Sequence, residues 1–306
     1  MIDGRPGRFD GRGVRLKQDA SRDACKTRVK MQRNPGRLIQ KVAELMIVPI
    51  YIVDAFTTQR FSGNPAAIVL FDAYPEDSIL QAIAAENNLA ETAFPVRRSD
   101  GNWDLRWFTP KVEVPLCGHA TLASAYVLFN HIIPEAEEII FETRHSGPLK
   151  ITRNGERITM DFPAAQTTLS DDDLSNLFGE SVIEVHKDKA FIMAVLDSTD
   201  AVRQFVLDRE KVLQLDRYGL IITAAGDAGY DCVSRFFMPA HGIDEDPVTG
   251  SAHTMLVPYW CNKLAMSELR AFQASARGGE LFCRMQGDRV AISGFCAPYL
   301  TGMIET

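Results

Sequence analysis

One segment occurs twice in this chain, and the repetition constrains the fold more than any other feature. Arg106-Trp107-Phe108-Thr109-Pro110 is followed eight residues later by Gly118-His119-Ala120 and an apolar run to Phe129. Arg235-Phe236-Phe237-Met238-Pro239 is followed eleven residues later by Gly250-Ser251-Ala252 and an apolar run to Trp260. Each copy reads as a strand, a loop, and a glycine that opens a buried helix. A spacing of about 130 residues predicts that the 306-residue chain is built from two related halves. Two helix N-termini then share one cleft. Their unpaired N–H groups and partial positive charge favour an anion, so function is sought there first.

Composition narrows the class. A hydrophobic content of 46% with 24% charged residues is that of a soluble globular protein. No apolar stretch reaches the ~18–20 residues that span a bilayer. Residues 1–45 hold 12 Lys/Arg against 5 Asp/Glu, whereas the remainder holds 21 against 35. An acidic body argues against nucleic acid as a partner. The basic segment 1–45 carries too many acidic residues for a targeting peptide and reads as a disordered extension, with Met46 as the natural beginning. The six cysteines (25, 117, 232, 261, 283 and 296) form no C-x-x-C pair, which reads as reduced thiols in the cytoplasm.

Periodicity supplies the elements. Strands are expected over 47–56, 66–71, 89–96 and 102–108, with a helix through Asn87 opened by Pro75-Glu76-Asp77 and acidic in its first turn. The run from Gly118 to Phe129 is apolar all round, so its helix must be enclosed. Three strands follow to Phe162. The second half repeats the plan: a helix over 170–178, strands near 182–186 and 190–196, short helices over 200–213, and strands at 219–223 and 231–238. The second enclosed helix begins at Gly250 and should kink at Pro258. Strands to Ser293 complete the pattern. This is an α+β plan of strands around two buried helices. The halves are expected at 46–157 and 158–306, the last strand returning to the first half. No G-x-G-x-x-G follows a strand, so nicotinamide or flavin binding has no support.

Several residues offer chemistry. Glu91 stands among small and apolar residues and shares a strand face with Leu89 and Ala93. If that face is interior, burial raises its pKa and suits it to general acid/base work; if not, it is a surface carboxylate at a corner. Asp246 is held near the second helix start by Pro247 and either accepts from a substrate or caps the helix. Asp244 and Glu245 read as solvated loop carboxylates. Cys117 is either a thiolate base at a helix N-terminus or a packed, inert thiol. Its counterpart, Thr249, removes a two-thiol mechanism. His119, His241 and His253 lack metal-ligand spacing, so no metal is expected.

These segments, with Gly63-Asn64-Pro65-Ala66-Ala67, Asn88-Leu89-Ala90-Glu91-Thr92, Leu116-Cys117-Gly118-His119-Ala120-Thr121, Gly242 to His253 and Gln273 to Gly279, resemble the PhzF-like (phenazine-biosynthesis-like) isomerase family. The resemblance covers about Ile47 to Ile304. It implies a diaminopimelate-epimerase-like fold: two pseudo-symmetric halves, each an antiparallel sheet rolled around a central helix. It further implies a homodimer and an isomerase without a cofactor. In such an enzyme the glutamate matching Glu91 moves a proton between carbons of a cyclic dihydro-hydroxy amino acid. The positions matching His119, Asp246 and Ser251 hold or help protonate the substrate. Gly118 and Gly250 receive its carboxylate, with Asn64 also on the substrate side. Diaminopimelate epimerases use one cysteine from each half, and only Cys117 is present here, which favours a single base. Two other readings stay open: a metabolite-binding or regulatory protein without catalysis, and an amino-acid racemase using Cys117.

Overall fold

The computed structural model describes residues 46–215 and 217–306. The segment 1–45, read above as a disordered extension, lies outside the described residues.

The repeat is visible in the order of strand pairing. The first run joins Ile47–Ala55, Asn64–Val69, Glu91–Arg97, Trp103–Phe108, Glu138–Glu142, Leu149–Asn154 and Arg157–Pro163. Successive pairings are antiparallel, parallel, antiparallel, parallel, antiparallel and antiparallel. The second run joins Val182–Lys187, Phe191–Leu196, Gly219–Ala225, Cys232–Met238, Glu268–Gln273, Gly279–Gln286 and Arg289–Gly294. Its pairings follow the same order. Each sheet is therefore mixed, where a purely antiparallel one was expected. The reason is local: in each run a helix intervenes before the second strand of both parallel pairs and returns the chain to the same end of the sheet. The runs join where Arg157–Pro163 pairs antiparallel with Arg289–Gly294.

Short strands at Glu113–Val114, Thr168–Leu169 and Ile243–Asp246 were not read from the sequence, and two further elements differ. The strand that returns to the first half is Cys296–Glu305, antiparallel to Ile47–Ala55; the sequence reading ended its strands at Ser293 because this segment lacks apolar alternation. The helix expected over 170–178 shrinks to Ser175–Phe178. Ahead of it, Ser170 and Asp173 accept from the backbone N–H groups of Asp172 and Ser175, holding the chain in turns that compete with a helix.

Each sheet encloses one helix. In Gly118–Val127 every residue but Tyr126 is buried. Gly250–Leu264 runs on through Pro258 and buries Met255, Leu256, Val257 and Trp260. The Trp260 indole N–H donates to Thr223 Oγ1 at 2.9 Å, so this side chain is accommodated without an orphan donor.

The repeated Arg-x-Phe now has a cause. Strand alternation places Arg106 and Phe108 on one face, and likewise Arg235 and Phe237. Each guanidinium lies over its ring, at 5.0 and 4.9 Å. Each also forks onto a glutamate in the short strand ahead of the central helix, Glu113–Val114 or Ile243–Asp246. Arg106 bonds both oxygens of Glu113 at 2.7 Å, and Arg235 bonds Glu245 at 2.6 and 2.9 Å. Glu245, read from sequence as a solvated carboxylate, is thus a clamp on the short strand that delivers the second helix. Arg106 also holds Asp77 in the first turn of Asp77–Asn87. Arg106 is buried, whereas Glu113 and Asp77 keep contact with solvent, so its removal costs the hydrogen bonds and the packing of the guanidinium more than it strands a charge. Arg106→Met is expected to lower stability by about 1–2 kcal/mol, read from urea unfolding.

Candidate active site

The two helix starts touch. A Cβ built on Gly118 would lie 3.3 Å from Gly250 Cα, and one on Gly250 would lie 3.4 Å from Gly118 Cα. Glycine at both positions is what lets the backbones meet. A cleft of about 450 Å³ opens beside them, lined by Glu91, Cys117, Gly118, His119, Asp246, Thr249, Gly250 and Ser251, with Phe191, Phe236, Met238 and His241 among its other walls. A larger hollow of about 640 Å³, lined by Arg60, Tyr126, Arg153 and Glu156, contains neither helix start nor any of the sequence-predicted site residues. The smaller cleft is the one where chemistry-bearing groups converge.

Glu91 opens the strand Glu91–Arg97 and is buried, which answers the question its sequence environment left open. Its Oε2 lies 3.2 Å from His119 Nε2. On the other side of that ring, Nδ1 lies 3.1 Å from the Asn64 amide nitrogen. An amide nitrogen cannot accept, so the ring hydrogen is assigned to Nε2, directed at Glu91; the two Asn64 hydrogens serve three acceptors, with the shorter contacts to Asp246 and Val248 taking the larger share. The Asn64 amide orientation follows from its other partners, Asp246 Oδ1 at 2.8 Å and the Val248 carbonyl at 2.9 Å. Turning the amide over would set oxygen against oxygen. Asp246 accepts on its second oxygen from the Thr249 hydroxyl. Cys117 Sγ stands 3.4 Å from His119 Nδ1.

Burial sets the protonation states. Removal from water raises the Glu91 pKa to about 8, with the Asp246 charge adding to the effect. Burial also raises Asp246 to about 6, against the hydrogen bonds from Thr249 and Asn64, which favour its ionised form. Burial lowers His119 to about 3, so its imidazole is neutral. The Cys117 thiol is driven upward by burial and by the neighbouring Glu91. Near pH 7 these shifts favour a charged Asp246, a protonated Glu91, a neutral His119 and a neutral thiol. The environment has pushed the two carboxyl groups apart in pKa, the arrangement that separates acid/base roles.

Glu91, Cys117 and His119 also present ligand atoms that all lie within 4.8 Å of one another, near enough to hold a metal ion. Sequence spacing contains no hint of this set, because the strand carrying Glu91 reaches the helix start only through the fold.

The structure brings Glu91, His119, Asp246, Gly118, Gly250 and Ser251 to one cleft. Asn64 stands behind it, fully buried, and reaches the cleft through His119 and Asp246. Met238 and His241 are at the cleft as well, His241 packed against Tyr218 with ring centroids 5.4 Å apart. His253 is buried one turn into the second helix and its Nδ1 bonds the Thr249 carbonyl at 2.8 Å. Two polar partners of Asp246 went unread in the sequence, Thr249 and Gln273. The signal for Gln273 was available: in Glu268–Gln273 it falls on the buried side with Leu269 and Ala271, where a polar residue needs a partner.

Comparison with known proteins agrees with this architecture. Residues 53–302 match the family model described as phenazine biosynthesis-like protein. The chain is 46% identical over 262 residues to a Pseudomonas aeruginosa protein named as an uncharacterized isomerase, covering 85% of this chain and 99% of the relative. It is 40% identical to a phenazine biosynthesis-like domain-containing protein of Bos taurus, over 85% of this chain and 99% of that one. A crystal structure of a PhzF-family protein from Enterococcus faecalis superposes with a TM-score of 0.80 at 40% identity, covering 85% of this chain and 99% of that chain. A hydroxyproline epimerase from Agrobacterium vitis shares the fold, with a TM-score of 0.56 at 11% identity over 85% of this chain and 92% of the other. The chain belongs to the phenazine biosynthesis-like family and is one of its isomerases.

Proposed function

We propose that this isomerase moves a proton between carbons of a small metabolite bearing a carboxylate and an amine, with Glu91 as its single acid/base and no cofactor in the chemistry. The observation that carries this reading is the asymmetry of the two helix starts. The first presents Cys117, neutral and packed against His119; the second presents Thr249, whose hydroxyl is committed to Asp246. One group at the head of the cleft, Glu91, titrates near 8 and can both take and return a proton around neutral pH.

In this reading the ionised Glu91 removes a proton from the substrate carbon and its protonated form delivers it to another. The His119 Nε2–H orients the carboxyl during the transfer. Asp246, charged at neutral pH, accepts from the substrate amine or hydroxyl. The backbone N–H groups at Gly118, Gly250 and Ser251 receive the carboxylate, since they are unpaired at a helix start. Asn64 acts from behind, by fixing His119 and Asp246. A racemase using Cys117 is disfavoured because burial beside a carboxyl group holds the thiol protonated.

The test is an exchange screen. Small carboxylates with acidic C–H bonds are incubated with the enzyme in D₂O and followed by NMR. Deuterium incorporation that survives thiol alkylation supports the reading. Ligand-induced stabilisation without exchange for any bound compound would support a binding protein instead.

A further inference from the structure

Gln273 is fully buried in the last position of Glu268–Gln273, and every polar atom of its side chain is engaged. Its Oε1 accepts from the Thr249 backbone N–H at 2.8 Å. Its Nε2 donates to the Asp246 carbonyl at 2.7 Å and to Thr249 Oγ1 at 3.2 Å. The backbone N–H can only donate, so the amide has one orientation. That orientation has a consequence for Thr249. Its hydroxyl oxygen already accepts from Gln273, and its own hydrogen goes to Asp246 Oδ2. Asp246 then accepts on both oxygens, from Thr249 on one side and Asn64 on the other.

We propose that Gln273 is a positioning residue for the reaction: by directing the Thr249 hydroxyl onto Asp246, it holds that carboxylate ionised and aimed into the cleft beside Glu91. The inference rests on the function proposed above. Gln273 does not itself line the cleft, and acts through Thr249 and Asp246, which do. The groups that face Asp246 are Glu91 and Cys117 within the cleft, Glu245 along its own strand, and His119 through Asn64. None of them carries positive charge at neutral pH, so neutral donors alone offset the burial of the Asp246 charge. A methionine in place of Gln273 is close in size, brings no charge beside Asp246 and loses both donors, which makes Gln273→Met a probe of the Gln273 hydrogen bonds at nearly constant volume.

The experiment follows the Asp246 and Glu91 carboxyl carbons by ¹³C NMR titration in the full chain, with melting temperature recorded for each variant. Gln273→Leu and Gln273→Met are expected to raise the Asp246 midpoint by about one unit, the effect of weakening the Thr249 hydrogen bond to a charged group. In the exchange assay kcat is expected to fall about tenfold with KM within about twofold, since an interaction used in the transition state is weakened more than substrate binding. Thr249→Ser should keep the Asp246 midpoint near that of the parent, and Thr249→Val should raise it as the Gln273 variants do. If Gln273→Leu does not fold, Thr249→Val and Gln273→Met decide. An unchanged Asp246 midpoint in folded Gln273→Met and Thr249→Val overturns the proposal. A shifted midpoint in a protein that exchanges no compound leaves the hold of Gln273 on Asp246 standing and removes the proposed reaction, so the two failures are distinct.

Discussion

Glu91→Gln is expected to slow C–H exchange by about 10³-fold while leaving KM within a few-fold, because a positioned general acid/base contributes on the order of 10²–10⁴-fold. Glutamine keeps the size of the side chain, and its carbonyl oxygen can still accept from His119 Nε2–H, which lies 3.2 Å from the carboxylate in the parent. What it lacks is a site that takes up and releases a proton. The dependence on pH follows from the same group. With a midpoint of about 8, the basic form is the minority at pH 7, so kcat/KM for proton abstraction should rise with pH and level off above about 8. Asp246→Asn removes a neighbouring negative charge that helps to hold Glu91 protonated, and should move this rise to lower pH. Exchange at the parental rate in Glu91→Gln would remove Glu91 from the mechanism, whatever the substrate.

The same substitution is expected to stabilise the fold, increasingly so with pH. Glu91 titrates near 8 when folded, against a reference of 4.5. Between those values the native state holds a proton that the unfolded chain has released, so stability falls as pH rises through the interval. Glutamine does not titrate and is free of that loss. Asp246, with a midpoint near 6, loses most of its own contribution below about pH 6.5, and the buried histidines and thiols are common to both proteins and cancel in the comparison. In the interval from pH 6.5 to 8 the difference between parent and variant therefore reports Glu91. Across it, the stability advantage of Glu91→Gln should grow by about 2 kcal/mol, at about 1.4 kcal/mol per unit of pKa difference. Urea melts of both proteins at several pH values measure this directly. A constant difference would mean that Glu91 is better solvated than its surroundings imply. An inactive variant more stable than its parent would show a buried acid/base group held at the expense of stability.

Much of the architecture was legible in the chain itself. The doubled Arg-x-Phe strand, the loop and the glycine-led apolar run specify two enclosed helices, because a helix apolar all round has no stable exposed state. The misreadings were equally local in origin. Cys296–Glu305 lacks alternation and is a strand only because Ile47–Ala55 offers it a partner along its whole length. The parallel pairings escaped notice because periodicity reports which face is buried and is silent about direction. Glu245 looked like one more acidic loop residue until Arg235, ten positions earlier, was found to grip it.

The site divides in the same way. The residue types at Glu91, His119, Asp246, Gly118, Gly250 and Ser251 were readable from motifs and from their placement at helix starts, and the tertiary structure gathers all six at one cleft. Asn64 was expected to meet the substrate, yet it is fully buried and bridges His119 to Asp246, a residue 182 positions away. Protonation states lay beyond the sequence altogether. A glutamate beside small apolar residues is an ordinary carboxylate at a surface corner and a near-neutral acid in a dry cleft. Desolvation, the term that separates the two, is a property of everything packed around it. The sequence by itself determined the paired helix starts, since their pattern is written within about twenty residues of each glycine. Tertiary structure alone decided how far burial shifts Glu91, Asp246 and the Cys117 thiol and how Gln273 reaches Asp246, since burial and hydrogen-bond direction arise only where distant strands meet.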